Sequence, residues 1–282
     1  MAPPEIPALL GRYRPHNLIG RGGEASVFRA TDEILGRDVA IKLYRSGGEE
    51  EMAQYRTEVE ALAHLSHHGI VSLLDAGIDY SQPDDPRPFL VEELVTGTDL
   101  ASALLQRELT TAEVAEIAYD VSEALEYIHA NGVVHRDIKP SNVMLVTYGT
   151  TTFRARARLT DFGIASGFSA RAARETGATT GTAAYLSPEQ ALREGATSAS
   201  DIYSFGLVLL ECFTRTVSFP GTPVQAAMAR VQSDPPIPAG LPDGWSELLA
   251  RMTDHDPARR PTAEQLTPTF REAVFRAGRP AG

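Results

Sequence analysis

The spacing of apolar residues changes at Gly97, and this change constrains the fold more than any other feature of the 282-residue chain. Before it, apolar residues come in short runs bounded by turn residues, at 27–30, 39–43, 71–75 and 89–93, which predicts strands. Residues 49–65 interrupt them with helical spacing that puts Val59, Leu62 and Leu65 on one face. After Gly97 helical spacing takes over. Residues 111–130 carry apolar side chains at 114, 117, 118, 121, 124, 125 and 128, with Thr110 or Thr111 as the cap. Residues 201–213 are almost entirely apolar, the pattern of a buried helix, and 245–252 and 262–276 supply two more helices. The expectation is an α+β protein of two lobes. A small β-rich lobe with one helix comes first, then a larger, mostly α-helical one, joined near residues 93–97.

Composition removes several classes of function. The longest apolar run is broken by Glu211 and falls far short of the roughly 18 residues a membrane span needs. No basic stretch followed by an apolar core opens the chain, so no export signal is expected. The single cysteine, Cys212, excludes an internal disulfide and is expected in the core, and a cytoplasmic, reducing location fits it. A net charge of −11 argues against nucleic acid as a partner. Of 26 basic residues, 24 are arginine and two are lysine, Lys42 and Lys139. Where a chain so biased keeps an ammonium, its compact point charge is the reason to look there for chemistry.

Lys42 ends the apolar strand Val39-Ala40-Ile41-Lys42, which follows a glycine-bearing turn, Ile19-Gly20-Arg21-Gly22-Gly23-Glu24-Ala25-Ser26-Val27. Glycines there let a backbone approach phosphate closely, although the turn taken alone reads more readily as a plain tight turn. Lys139 lies in His135-Arg136-Asp137-Ile138-Lys139-Pro140-Ser141-Asn142, which gathers a carboxylate, an ammonium and an amide on a loop after a helix. Nineteen residues beyond Asn142 comes a second loop carboxylate, in Asp161-Phe162-Gly163.

This order of motifs resembles the eukaryotic-type (Hanks-type) Ser/Thr protein kinases, and the wording of residues 181–190 is most similar to bacterial members. The resemblance runs over about residues 12–270 and includes Ser187-Pro188-Glu189, Asp201 and Arg260. It implies lobes at 1–95 and 96–275, a tail at 276–282, and transfer of the γ-phosphoryl of ATP to protein Ser or Thr hydroxyls. By the same resemblance, Lys42 pairs with the α/β-phosphates and is held by Glu58, with Glu60 the alternative. Asn142 and Asp161 hold Mg²⁺ or Mn²⁺, Asp137 accepts or orients the substrate hydroxyl, and Lys139 neutralises the moving phosphoryl. ATP is expected against Gly20, Gly22, Ile19, Val27, Ala40 and Met144, with the backbone of Glu93 and Val95 reading adenine. Activation is expected by autophosphorylation at Thr179 or Thr180. The expected partners are protein substrates and, for phosphorylation in trans, a second copy of the chain.

The sequence departs from the family in three places. Ala25 replaces a glycine of the turn. Glu92 falls at the back of the adenine pocket, where the family has an apolar residue or threonine; a shift of one residue would instead make it a surface residue. Residues 142–161 are longer than usual, and Arg154, Arg156 and Arg158 alternate onto one strand face that reads as solvated.

Overall fold

Alternation of side chains builds the first sheet. Strands β1 (Tyr13–Arg21), β2 (Ala25–Asp32), β3 (Arg37–Tyr44), β4 (Leu73–Asp79) and β5 (Arg87–Glu93) lie in the order β1-β2-β3-β5-β4, each neighbour antiparallel. One face gathers Tyr13, Ala30, Val39, Ile41, Leu43, Phe89 and Val91 with Leu9 into a core. Because successive side chains point to opposite faces, Ala40 and Lys42 emerge on the other. The computed structural model describes residues 8–21, 25–46, 48–147, 155–162 and 183–277, without the side chains of Glu50, Glu51, Gln54 and Glu58. Within it the sheet belongs to a compact unit of residues 8–66 and 71–95.

Helix α1 (Glu49–Ala63) is tied to the sheet by Tyr55, whose hydroxyl donates to the Phe89 carbonyl at 2.6 Å. The turn from β2 to β3 is closed by Asp32, fully buried, which accepts from the Arg12 guanidinium at 2.6 and 2.8 Å and from the backbone N–H groups of Ile34 and Leu35. These bonds hold its carboxyl down at about 2.

The second unit comprises residues 67–70, 96–162 and 183–277 among those described. A small sheet of β6 (Gly97–Asp99), β7 (Val143–Val146) and β8 (Arg156–Leu159) lies beside helices α2 (Leu100–Gln106) and α3 (Thr111–Ala130). Helix α3 starts where expected: Thr110 accepts from the Glu113 N–H while Glu113 returns to the Thr110 N–H. The chain continues through α4 (Pro188–Ala191), α5 (Ser198–Thr214), α6 (Pro223–Gln232), α7 (Trp245–Met252) and α8 (Ala263–Ala277). Helix α5 is buried along nearly its whole length, Cys212 included. Phe205, Phe213, Trp245 and Phe270 form an aromatic cluster joining α5, α7 and α8. Among the described residues no helix is long and apolar enough to cross a membrane.

The expected solvated arginine face is corrected by the structure. Arg158 is buried and donates to the Ile70 carbonyl at 2.7 Å, and Arg156 pairs with buried Asp120 at 2.8 Å. Arg154 lies outside the described residues. The period-two reading holds, but the face packs against chain whose carbonyl and carboxylate take up its charge. His67 stacks on Tyr127 and accepts from the Gly69 N–H at 3.1 Å, whereas His68 is exposed.

Candidate active site

Helix α3 ends at Asn131, and Gly132, at φ +73°, turns the chain into the loop that carries Asp137. His135 is fully buried below this loop. Its Nε2 lies 3.0 Å from the Thr160 carbonyl, and its ring packs on Phe162 with centroids 4.7 Å apart. Burial lowers its pKa. The carbonyl therefore assigns the proton of a neutral ring to Nε2, leaving Nδ1 to accept from the Asp137 N–H at 3.4 Å. Asp201, buried in the first turn of α5, accepts from the backbone N–H groups of His135 and Arg136 at 2.8 Å each. These bonds hold Arg136 in the left-handed region, at φ +69°, which costs roughly 1–2 kcal/mol for a residue with a Cβ.

This turn leads directly into Asp137. Its Oδ2 accepts from Lys139 Nζ at 2.7 Å and from Asn142 Nδ2 at 2.9 Å. The same Asn142 nitrogen donates to the Asp137 carbonyl at 2.8 Å. Among the described residues no hydrogen bond reaches Asp137 Oδ1, so one oxygen is fixed and the other is left to accept. Asn142 thus spends its nitrogen on Asp137 and keeps its own Oδ1 for another partner, apart from a long 3.5 Å contact from the Ser141 hydroxyl. The Thr160 N–H donates to the Asn142 carbonyl at 3.0 Å, which brings Asp161, at φ +55°, close to Asn142. Among the described residues no cluster of three or more His, Cys, Asp or Glu suits a metal ion. Asn142 and Asp161 are a pair of hard oxygen donors, a set that fits a cation taking its other ligands from water and phosphate.

A platform lies against this loop. Residues 183–191 lead into α4, where Ser187 and Gln190 cap each other and Gln190 Nε2 donates to the Arg136 carbonyl at 3.1 Å. Glu189 forms a bidentate ion pair with Arg260, at 2.8 and 3.0 Å, and accepts from Ser200 Oγ at 2.6 Å. Burial alone would raise the Glu189 carboxyl, but these bonds outweigh it and bring the pKa down to about 2. Tyr185 and Leu186 line the same small hollow as Arg136, Asp137 and Ile138.

In the first unit, pairing register places the other residues. Lys42 stands opposite Val27 on one side and Leu90 on the other, and Ala40 opposite Glu92. Val27, Ala40, Lys42 and Glu92 therefore share the face turned away from the core. That settles the register of Glu92. Gly20 pairs with Val27, after exposed Ile19. The Glu93 N–H donates to the Ser72 carbonyl at 3.0 Å, and Val95 closes the unit. Met144 stands in β7, opposite Arg158 of the second unit. Glu58 lies in α1 with its side chain outside the description, and Gly22, Thr179 and Thr180 lie outside the described residues.

Residues 13–269 match the family model described as protein kinase domain. The chain belongs to the protein kinase family. The kinase domain's β-sheet unit and helical unit are the α+β architecture expected of it. It is 36% identical to the serine/threonine-protein kinase PknA of Mycobacterium tuberculosis, over 99% of this chain and 64% of that protein. It is also 39% identical to the serine/threonine-protein kinase PksC of Streptomyces coelicolor, over 91% and 48%. With the probable serine/threonine-protein kinase PknB of Lactococcus lactis it shares 36% identity, over 89% and 40%. The chain thus spans under two thirds of the length of these relatives.

The structure brings together Asp137, Lys139 and Asn142, and Asp161 follows Thr160, whose N–H bonds the Asn142 carbonyl. Reading by motif missed Asp120, which anchors β8 through Arg156 and the Ala157 N–H, and Arg230, buried in α6. The signal for Asp120 was its place at a core position of an otherwise apolar helix face.

Proposed function

We propose that this chain is a Ser/Thr protein kinase that moves the γ-phosphoryl of ATP to serine and threonine hydroxyls of proteins. The observation that carries the reading is the Asp137 carboxylate, with Oδ2 engaged by Lys139 and Asn142 and Oδ1 left to accept. In this reading Oδ1 receives the hydroxyl hydrogen bond of the acceptor and aligns its oxygen with the phosphorus, and takes the proton as the new P–O bond forms. Lys139 stays within reach of both Asp137 and the phosphoryl, so its charge offsets that of the equatorial oxygens. Lys42, held by Glu58, pairs with the α/β-phosphates. Asn142 and Asp161 would hold Mg²⁺ or Mn²⁺, and the bound cation would supply positive charge against the phosphates. Adenine packs on Ile19, Val27, Ala40 and Met144 and is read by the backbone of Glu93 and Val95, while Gly20 and Gly22 let the backbone approach the phosphates.

The test is incubation with γ-labelled ATP and Mg²⁺, alone and with a generic basic protein. Label on serine or threonine is expected. Binding of ATP without any transfer would replace this reading with that of a nucleotide-holding module.

The homologues' names support the Ser/Thr assignment, and the exposed Arg136 beside Asp137 supports a phosphorylation switch, since a guanidinium pairs well with phosphate. Autophosphorylation at Thr179 or Thr180, in trans between two copies, is the expected form. Mass spectrometry of the protein produced with and without Asp137→Asn should find phosphate on one of these threonines in the first sample alone. Equal phosphate in both would remove autophosphorylation.

Glu92 makes a further prediction. It sits one diagonal from Lys42 on the same sheet face, a distance that long side chains bridge. Its carboxylate then competes with phosphate for the ammonium. Glu92→Met should lower the KM for ATP by up to about fivefold, since such a diagonal ion pair is worth at most about 1 kcal/mol. An unchanged or raised KM in steady-state assays would sink the competition.

A further inference from the structure

Arg230 is fully buried in α6, and among the described residues no carboxylate pairs with it. Its Nε donates to the Ala226 carbonyl of its own helix at 2.9 Å. One Nη donates to the Ala183 carbonyl at 2.5 Å and the other to the Leu186 carbonyl. The guanidinium carbon lies 5.0 Å from the centre of the Phe219 ring, so one face of the charge rests on an aromatic surface. Burial lowers its pKa, as expected of a cation held by carbonyl dipoles and a ring without a counter-ion.

A buried charge of this kind is expensive, and an apolar side chain of similar volume often serves packing as well or better. What an apolar side chain cannot do is bind two carbonyls at once in fixed geometry, which the planar fork of arginine does. Both carbonyls belong to the short segment 183–186. A third in that segment, the Tyr185 carbonyl, accepts from Ser204 Oγ at 2.7 Å. Tyr185 and Leu186 line the hollow that Asp137 also lines. The segment next to the reacting carboxylate is thus tied down by α5 and α6, and Arg230 supplies two of the ties.

We propose that Arg230 is a positioning residue for the acceptor polypeptide: it fixes the 183–186 segment on which the chain around the phosphorylated hydroxyl rests, and so sets how tightly an acceptor binds. This rests on the kinase reading above and adds to it the residue that holds the acceptor floor. Arg230 touches neither ATP nor the moving phosphoryl in this account. Its loss therefore shows in the acceptor KM and not in the KM for ATP.

The test is steady-state transfer from γ-labelled ATP to a serine-containing basic peptide by the wild type, Arg230→Met and Arg230→Lys, with melting temperatures measured alongside. Arg230→Met is expected to raise the acceptor KM about tenfold or more, the loss of two charge-assisted hydrogen bonds that hold the floor, with the KM for ATP within about twofold of wild type. Arg230→Lys, whose ammonium reaches one carbonyl at a time, should fall between the two. An acceptor KM unchanged in either folded variant overturns the proposal, and so does a parallel loss in both KM values and kcat that tracks the melting temperature. If Arg230→Met does not fold, the Arg230→Lys split decides by the same criteria. Absence of transfer by the wild type overturns the kinase reading and this inference with it, whereas normal transfer with unaltered acceptor KM in the variants overturns the inference alone.

Discussion

Asp137→Asn is expected to lower transfer to a protein hydroxyl by about 10²- to 10⁴-fold, the range a positioned proton acceptor contributes. The substitution is nearly isosteric, so the loop keeps its anchors: the buried His135 ring, the Asp201 carboxylate and the backbone bond from Asn142. What changes is chemistry at two oxygens. Oδ1 no longer carries the charge that draws the acceptor proton, and Oδ2 no longer offers a carboxylate to Lys139, now 2.7 Å away. Lys139 then loses a restraint on its position as well as its counter-charge. ATP binding does not use Asp137 in this scheme, so a thermal shift on adding Mg-ATP should survive in the variant. Retention of transfer near the wild-type rate would mean that another group receives the proton.

The parts of the fold that could be read from sequence are those in which one short-range signal dominates. Thr110 or Thr111 announces α3 because a cap is a local signal, and 201–213 announces a buried helix because a nearly all-apolar run suits little else. Helix α6 carried a comparable signal that went unread, Thr222-Pro223 with Gln225 three residues after the cap. The candidate site's loop could be picked out because Asp137, Lys139 and Asn142 fall within six residues of chain. Arg158 and Arg230 were not, because their partners are backbone carbonyls of Ile70, Ala183 and Leu186, far away in sequence. A carbonyl is the same at every residue, so no side-chain pattern betrays the acceptor of such a bond. For the same reason the burial of Arg158 could not be separated in advance from a solvated strand face.

Arg260→Ala is expected to destabilise the helical unit by roughly 3–5 kcal/mol near neutral pH, because it strands a buried carboxylate. Arg260 is completely buried at its side chain, and Glu189 nearly so. The size can be approached independently. Glu189 titrates at about 2 in place of the ordinary 4.5, and that difference corresponds to roughly 3 kcal/mol of preference for the charged form. The sign follows from the lowered value. The contribution is fully present above about pH 4.5, and it is lost as pH falls towards 2 and the folded carboxyl takes up its proton. In Arg260→Ala burial remains without the guanidinium, so Glu189 is easily protonated and the variant is spared much of that acid-linked loss. The stability gap between wild type and variant should therefore be widest from pH 5 to 7 and shrink as pH is lowered through 4. Trp245, the single tryptophan, is buried in the same unit, so its fluorescence during urea unfolding at each pH reports the relevant transition. Glu189→Gln with Arg260→Met removes both charges and should recover part of the loss, as apolar or neutral replacements of buried pairs commonly do. A gap that stays constant from pH 7 to 3 would show that Arg260 supports the platform by packing against Tyr203, whose ring centre lies 4.8 Å from the guanidinium carbon, with little part played by its charge.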